Sequence, residues 1–177
     1  ARAAAGAMGN RGSSLETAVG NAEKRLGRVS VEGRYHRSPN KLSDDYDVEK
    51  KALGTGYSGA VLLAHSKQSK QRFAVKAFKL HGVPKEKKKE LVSECEIFLS
   101  MDHPHVARLV DVYESDDQLA LVMECMEGGE LFDRVTARKV FSEKDAAATS
   151  FQMLLAVKYI HGWGIVHRDL KLENFLY

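Results

Sequence analysis

The chain has 177 residues, of which 44% are hydrophobic and 29% charged, an ordinary balance for a soluble globular protein. No apolar run approaches the roughly 18 residues of a membrane span, and no apolar core of a secretory leader is visible. Two cysteines, Cys95 and Cys125, neither of them in a CxxC pattern, are too few for a disulfide framework, which predicts a reduced, cytoplasmic chain.

The formal charge is +3, and its distribution says more than its value. Residues 1–45 hold eight Lys/Arg and five Asp/Glu, whereas the remainder holds nineteen of each. The basic excess therefore belongs to an N-terminal arm, read here over residues 1–45 as flexible and rich in Gly, Ser, Ala and Arg, with a short helix near Leu15–Leu26. Such an arm meets solvent, or else an anionic lipid or nucleic-acid surface. The solvated reading is the simpler, and no nucleic-acid partner is expected.

Pattern strength rises at Tyr46. "YDVEKKALG" reads as a strand running into glycine. "AVLLAHS" and "RFAVKAFK" are rich in apolar and β-branched residues and are joined by the polar turn "KQSKQ". In "VPKEKKKELVSECEIFLSM", Leu91, Cys95, Phe98 and Leu99 fall at helical spacing, and Pro104 stops the run. "HVARLVDVYES" and "QLALVMEC" give two further strands, making five strands and one helix by Cys125. Gly128 and Gly129 break the pattern, and the chain beyond them is helical. "GELFDRVTARK" predicts a short helix, and "SEKDAAATSFQMLLAVKYIHGWG" a long one, capped by Ser142 and ended by Gly162 and Gly164.

Three motifs carry chemistry. Gly54, Gly56 and Gly59 form a GxGxxG spacing, where backbone N–H groups can close on phosphates without interference from Cβ atoms. These glycines lead from one strand into another, which favours a hairpin flap over the strand-to-helix turn of a dinucleotide fold. Lys76 sits at the centre of an apolar strand and needs a carboxylate or phosphate partner if buried. Glu94, on the following helix, is the predicted partner, with Glu96 the competitor; an edge lysine reaching solvent is the bland alternative. Finally, "HRDLKLEN" places Asp169, Lys171 and Asn174 in one loop. The carboxylate can accept a hydroxyl proton, the lysine can neutralise charge on a moving phosphoryl group, and the carboxamide oxygen can ligate Mg²⁺.

GTGYSGAV, FAVK and HRDLKLEN, in that order, resemble the motif set of the eukaryotic protein kinases, over about Tyr46 to Tyr177. Fifteen residues separate Val61 from Lys76, as in that family. The resemblance implies an α+β, two-lobed fold. Residues 46–126 would form the N-lobe and hinge, a five-stranded antiparallel sheet with one helix, and residues 127–177 the start of a helical C-lobe. It implies ATP and Mg²⁺ as cofactors. Gly54, Thr55, Gly56, Tyr57, Ser58, Gly59, Ala60 and Val61 would form the flap over ATP, and Lys76, paired to Glu94, would hold its phosphates. Leu53, Val61 and Ala74 would enclose the adenine, Met123 would stand at the gatekeeper position, and Glu124 and Met126 would offer backbone groups to the adenine edge. Asp169 resembles the catalytic base and Asn174 the magnesium ligand. Lys171 points to serine/threonine specificity.

"ECMEGGELFDRV", "FSEKDAA" and "HRDLKLENFL" are similar to the calcium/calmodulin-dependent group, and most of all to the calcium-dependent protein kinases. That implies a calcium-sensing module, EF-hands or calmodulin, downstream. It also implies protein substrates with Ser/Thr near Arg or Lys, contacted with the ribose by Glu130. Leu172 departs from the commoner proline of this loop.

No DFG, APE or EF-hand sequence is present, so the chain is expected to be a fragment of a longer kinase and inactive alone. Two competing readings remain: a nucleotide-binding pseudokinase, and a membrane-tethered interaction module. The latter draws on "MGNRGSS", where Gly9 and Ser13 fit an N-myristoylation pattern if Met8 is the true start. In that case the cytoplasmic chain would be membrane-associated. The run Lys85 to Glu90 is read as a solvated helix start, and Cys95 and Cys125 as packing residues.

Overall fold

The computed structural model describes residues 31, 33–56, 59–137 and 141–177. The anticipated helix near Leu15–Leu26, the Gly9 motif, and Tyr57 and Ser58 of the glycine hairpin lie outside the described residues. The described chain forms two compact units. One holds the residues up to Asp102 together with Ala107–Cys125; the other holds His103–Val106 and Met126–Tyr177.

The first unit is built on a six-stranded sheet. Its strands are β1 (Tyr35–Arg37), β2 (Tyr46–Gly56), β3 (Gly59–Ser66), β4 (Arg72–Lys79), β5 (Leu109–Glu114) and β6 (Gln118–Glu124), in the order β1-β5-β6-β4-β3-β2. The five strands β2 to β6 pair antiparallel, as their alternation and short polar turns predict. In the central strand β6, Leu119 to Met123 are all buried, because layers of side chains cover both faces of the sheet there. One face carries a cluster of Tyr46, Ala64, Val75, Tyr113, Ala120 and Val122. The Tyr46 ring meets Phe73 edge-on at 5.4 Å and Tyr113 at 6.2 Å between centroids. A short helix α1 (Leu42–Asp45) precedes β2, and helix α2 (Lys85–Ser100) connects β4 to β5. Helix α2 buries Cys95, Ile97, Leu99 and Ser100. Leu99 is wholly buried, so truncation to alanine costs about 2–5 kcal/mol.

The sheet differs from expectation at one edge. β1 lies within the segment read from sequence as a flexible arm, and it pairs in parallel with β5, Tyr35 opposite Val112 and Arg37 opposite Glu114. Tyr-His-Arg carries no apolar alternation, so no local signal marks it as a strand. Its order comes from partners about 75 residues away: Tyr35 donates to Glu114 Oε2 at 2.9 Å, Arg37 Nε to the same oxygen at 3.2 Å, and the His36 ring stacks on Tyr113 at 4.4 Å.

The second unit contains helices α3 (Leu131–Ala137) and α4 (Glu143–Gly162) and a 3₁₀ turn, Leu172–Asn174. Ser142 caps α4 by accepting from Asp145 N at 3.1 Å, and Glu143 and Asp145 suit the positive end of its dipole. Gly164, at φ +74°, turns the chain after α4. Tyr159 and Trp163 are buried, and His103 stacks on Tyr159 at 4.7 Å. The stretch after the double glycine pairs with the final residues. Gly128 N donates to Tyr177 O at 2.6 Å, Tyr177 N to Gly129 O at 3.0 Å and Leu131 N to Phe175 O at 2.9 Å. No described helix is long and apolar enough to cross a membrane.

Candidate active site

In the first unit, the glycine motif forms the tip of the β2–β3 hairpin. Gly54 pairs with Val61, Thr55 with Ala60 and Gly56 with Gly59. Gly59 has φ +107°, a conformation side-chain-bearing residues rarely adopt, and a Cβ added at Gly54 would meet nothing within 4 Å. The backbone of this hairpin is therefore open to a close-approaching anion, and it connects strand to strand rather than strand to helix. Leu53 is exposed and Ala74 and Met123 are buried on adjoining strands, Ala74 directly opposite Met123. Glu124, at the end of β6, is exposed and its N–H donates to Arg108 O at 2.9 Å.

Lys76 is held between Val61 on β3 and Leu121 on β6 and is 3% exposed. Its ammonium stands 5.2 Å from the centre of the Phe78 ring, a cation–π contact that offsets part of its desolvation. The partnership predicted with Glu94 is not made: no cation draws the Glu94 carboxyl down. Glu94 is half-buried in α2, and its carboxyl is pushed up to about 6 by burial and then by Glu90 one turn earlier. Sequence spacing fixes which helical face carries Glu94. It does not fix how far that face stands from β4.

In the second unit, the loop from His167 to Asn174 closes on itself. His167 is buried, and its Nδ1 accepts from Asp169 N at 3.2 Å, which places its proton on Nε2 in the neutral ring. Burial lowers the pKa of this imidazole against the opposing pull of Asp169. Arg168 adopts φ 65°, in the left-handed region, so a non-glycine residue is held in a strained conformation between the two. Lys171 Nζ stands 3.1 Å from Asp169 Oδ2. Asn174 Nδ2 donates to Asp169 O at 2.5 Å and to Asp169 Oδ2 at 3.0 Å. The three residues singled out in this loop are therefore assembled around one carboxylate.

Those donor bonds fix the Asn174 amide orientation, leaving Oδ1 buried and with no hydrogen-bond partner. A buried carbonyl oxygen beside a carboxylate fits a hard divalent cation such as Mg²⁺. Among the described residues no group of three or more His, Cys, Asp or Glu is placed to hold a metal ion. Met126 and Glu130 belong to this unit; Glu130 is half-buried and bridges to Leu176. The sequence reading missed the role of Gly128. A Cβ there would come within 2.5 Å of Tyr177 Cβ and 2.9 Å of its carbonyl oxygen, so only glycine lets the two backbones pair.

A cavity of about 680 Å³ lies elsewhere in the first unit, lined among others by Leu42, Tyr46, Lys67 and Tyr113. None of the residues described above as site residues lines it.

Residues 47–177 match the protein kinase domain family. The chain is 41% identical over 127 residues to myosin light chain kinase A of Dictyostelium discoideum, covering 72% of this chain and 43% of that protein. It is 39% identical over 141 residues to calcium-dependent protein kinase 5 of Plasmodium falciparum, covering 78% and 24%. With calcium/calmodulin-dependent protein kinase type IV of Homo sapiens the identity is 40% over 137 residues, covering 77% and 28%. Among solved structures it is similar to Rad53 1–466 in complex with AMP-PNP, with a TM-score of 0.69 and 33% identity over 76% of this chain and 35% of that one. The chain spans less than half the length of each of these relatives.

Proposed function

This chain belongs to the protein kinase domain family, and from that premise we propose that the protein carrying it transfers the γ-phosphoryl group of ATP to serine or threonine hydroxyls of proteins. One observation carries the reading: Lys171 and Asn174 both converge on the Asp169 carboxylate, at 3.1 and 3.0 Å.

In this reading the glycine hairpin and Lys76 bind the phosphates, and Leu53, Val61, Ala74 and Met123 enclose the adenine. Glu124 and Met126 offer backbone groups to its edge. Asp169 orients the substrate hydroxyl and accepts its proton as the hydroxyl oxygen bonds to the γ-phosphorus and the bond to the departing ADP oxygen breaks. Asn174 holds that carboxylate in place through its amide. Lys171 lies beside it, where negative charge moves during transfer. Asn174 Oδ1 would hold Mg²⁺, which when bound neutralises phosphate charge.

Serine/threonine preference rests on Lys171. Calcium control, through EF-hands or calmodulin elsewhere in the protein, is drawn from relatives named for calcium and calmodulin dependence. Glu130 is the residue through which a basic substrate side chain would be read. The membrane-tethered reading rests on Gly9 and on the charge of the arm.

Peptide phosphorylation by the protein carrying this chain tests the proposal. Asp169→Asn abolishes transfer while nucleotide still raises the melting temperature. Transfer at the wild-type rate by that variant overturns the assignment of Asp169. A second reading, a pseudokinase that holds nucleotide without turnover, draws on the open Lys76–Glu94 relation. It predicts nucleotide-dependent stabilisation of the wild type with no transfer to any peptide.

A further inference from the structure

Helix α2 carries Glu94, yet its last turn holds no basic residue of its own; the lysines lie in the first turns, from Lys85 to Lys89. At its C-terminus Phe98 O accepts from Met101 N at 3.1 Å, but the helix offers no cation of its own to meet the negative end of the dipole. Arg34, 65 residues earlier in the chain, supplies a cation there. Its Nη1 donates to Leu99 O at 2.8 Å, in the last turn of α2. Its Nε donates to Val110 O at 2.8 Å, and its Nη2 to Leu109 O, both on β5. The Arg34 carbonyl accepts from Val112 N at 2.9 Å, so the same residue is fixed to β5 by its backbone.

We propose that Arg34 is a positioning residue for α2: from the strap that enters β1, its guanidinium ties the C-terminal turn of the helix to β5. The strap is itself held to β5 by Tyr35 on Glu114 and by His36 on Asp111 at 3.3 Å and on the Tyr113 ring. β5 and β4 are both hydrogen-bonded to β6. The tie therefore references the helix bearing Glu94 to the sheet bearing Lys76. Three donors in one planar fork are required, because the three carbonyls belong to two elements; a lysine ammonium, a single point, cannot span them with fixed geometry. This inference rests on the kinase reading for its catalytic consequence, but not for the tie itself.

The test compares Arg34→Met, Arg34→Lys and Arg37→Met in the protein carrying this chain. Arg37 belongs to the same strap and contacts Glu114; it makes no hydrogen bond to α2 and meets that helix only as the weaker attraction of its charge to Glu96. Two readouts are taken: amide hydrogen exchange over residues 95–101, and kcat and KM for ATP in peptide phosphorylation. The proposal predicts exchange at least about tenfold faster in Arg34→Met, with kcat/KM about tenfold lower. Arg34→Lys should fall between, and Arg37→Met should match the wild type. Unchanged exchange in Arg34→Met overturns the tie. Equal loosening by Arg37→Met also overturns it, since strap stability alone would then account for the effect. Faster exchange with unaltered kinetics overturns the positioning role. If Arg34→Met does not fold, Arg34→Lys decides: wild-type exchange and kinetics there refute the proposal. If the wild type transfers no phosphate, the kinase reading fails, and the exchange readout still decides the tie.

Discussion

The carboxamide of Asn174 donates to the carboxylate of Asp169 at 3.0 Å while its own Oδ1 is left buried and without a hydrogen-bond partner. One face of the side chain holds the Asp169 carboxylate, and the other presents an oxygen fit for a cation. Asn174→Ala removes both. Phosphoryl transfer should fall about 10- to 100-fold, and the Mg²⁺ concentration giving half-maximal rate should rise by a similar factor. A titration of rate against Mg²⁺ checks this; a variant with a normal magnesium requirement would detach Oδ1 from metal binding.

If Lys76 binds phosphate as proposed, its replacement separates function from stability. The lysine is buried at the centre of β4, where methionine has a similar shape and no charge to desolvate. Lys76→Met should melt at or above the wild-type temperature and lose at least about 100-fold in transfer. A melting temperature lowered by more than about 8 °C would instead make Lys76 a structural residue.

The glycine hairpin, the strands β2 to β6 as single elements, the capped helix α4 and the Asp169–Asn174 loop were all legible in the sequence, whereas the order of the strands in the sheet, with β4 beside β6, was not. Each legible element is specified within a short window, by glycine spacing, alternation, a Ser142 cap or a five-residue interval. β1 was not legible, because three polar and aromatic residues become a strand only against Val112, Tyr113 and Glu114. The Lys76–Glu94 pair was expected and is not formed, since helical phase does not set the distance between helix and sheet. Gly128 was read as a pattern breaker, whereas its contact with Tyr177 spans 49 residues and has no local signature.

Gly128→Ala tests that contact. The added Cβ would meet the Tyr177 Cβ and backbone rather than a movable side-chain end, and the Gly128–Tyr177 hydrogen bond must lengthen to admit it. The expected loss is about 1–3 kcal/mol in urea unfolding. A loss below about 0.5 kcal/mol would show that the terminal segment yields at no cost.

Glu94 gives stability a pH dependence. Its carboxyl is raised from 4.5 to about 6 in the fold, by burial and then by Glu90, so the folded state holds this proton more tightly than the unfolded state. Its contribution is fully present below about pH 4.5 and is lost as pH rises through about 6. Glu94→Gln should remove that decline between pH 4.5 and 6 and leave the rest of the profile unchanged. Parallel denaturation curves for wild type and variant across this window would contradict the burial argument.

The most direct measurement is phosphoamino-acid analysis of a protein substrate labelled from γ-³²P-ATP by the protein carrying this chain, with Lys76→Met and Asp169→Asn alongside. Label on serine and threonine that disappears in both variants is the predicted result. Label confined to tyrosine, or label that persists when either residue is replaced, would contradict the assignment of these residues to serine/threonine phosphorylation.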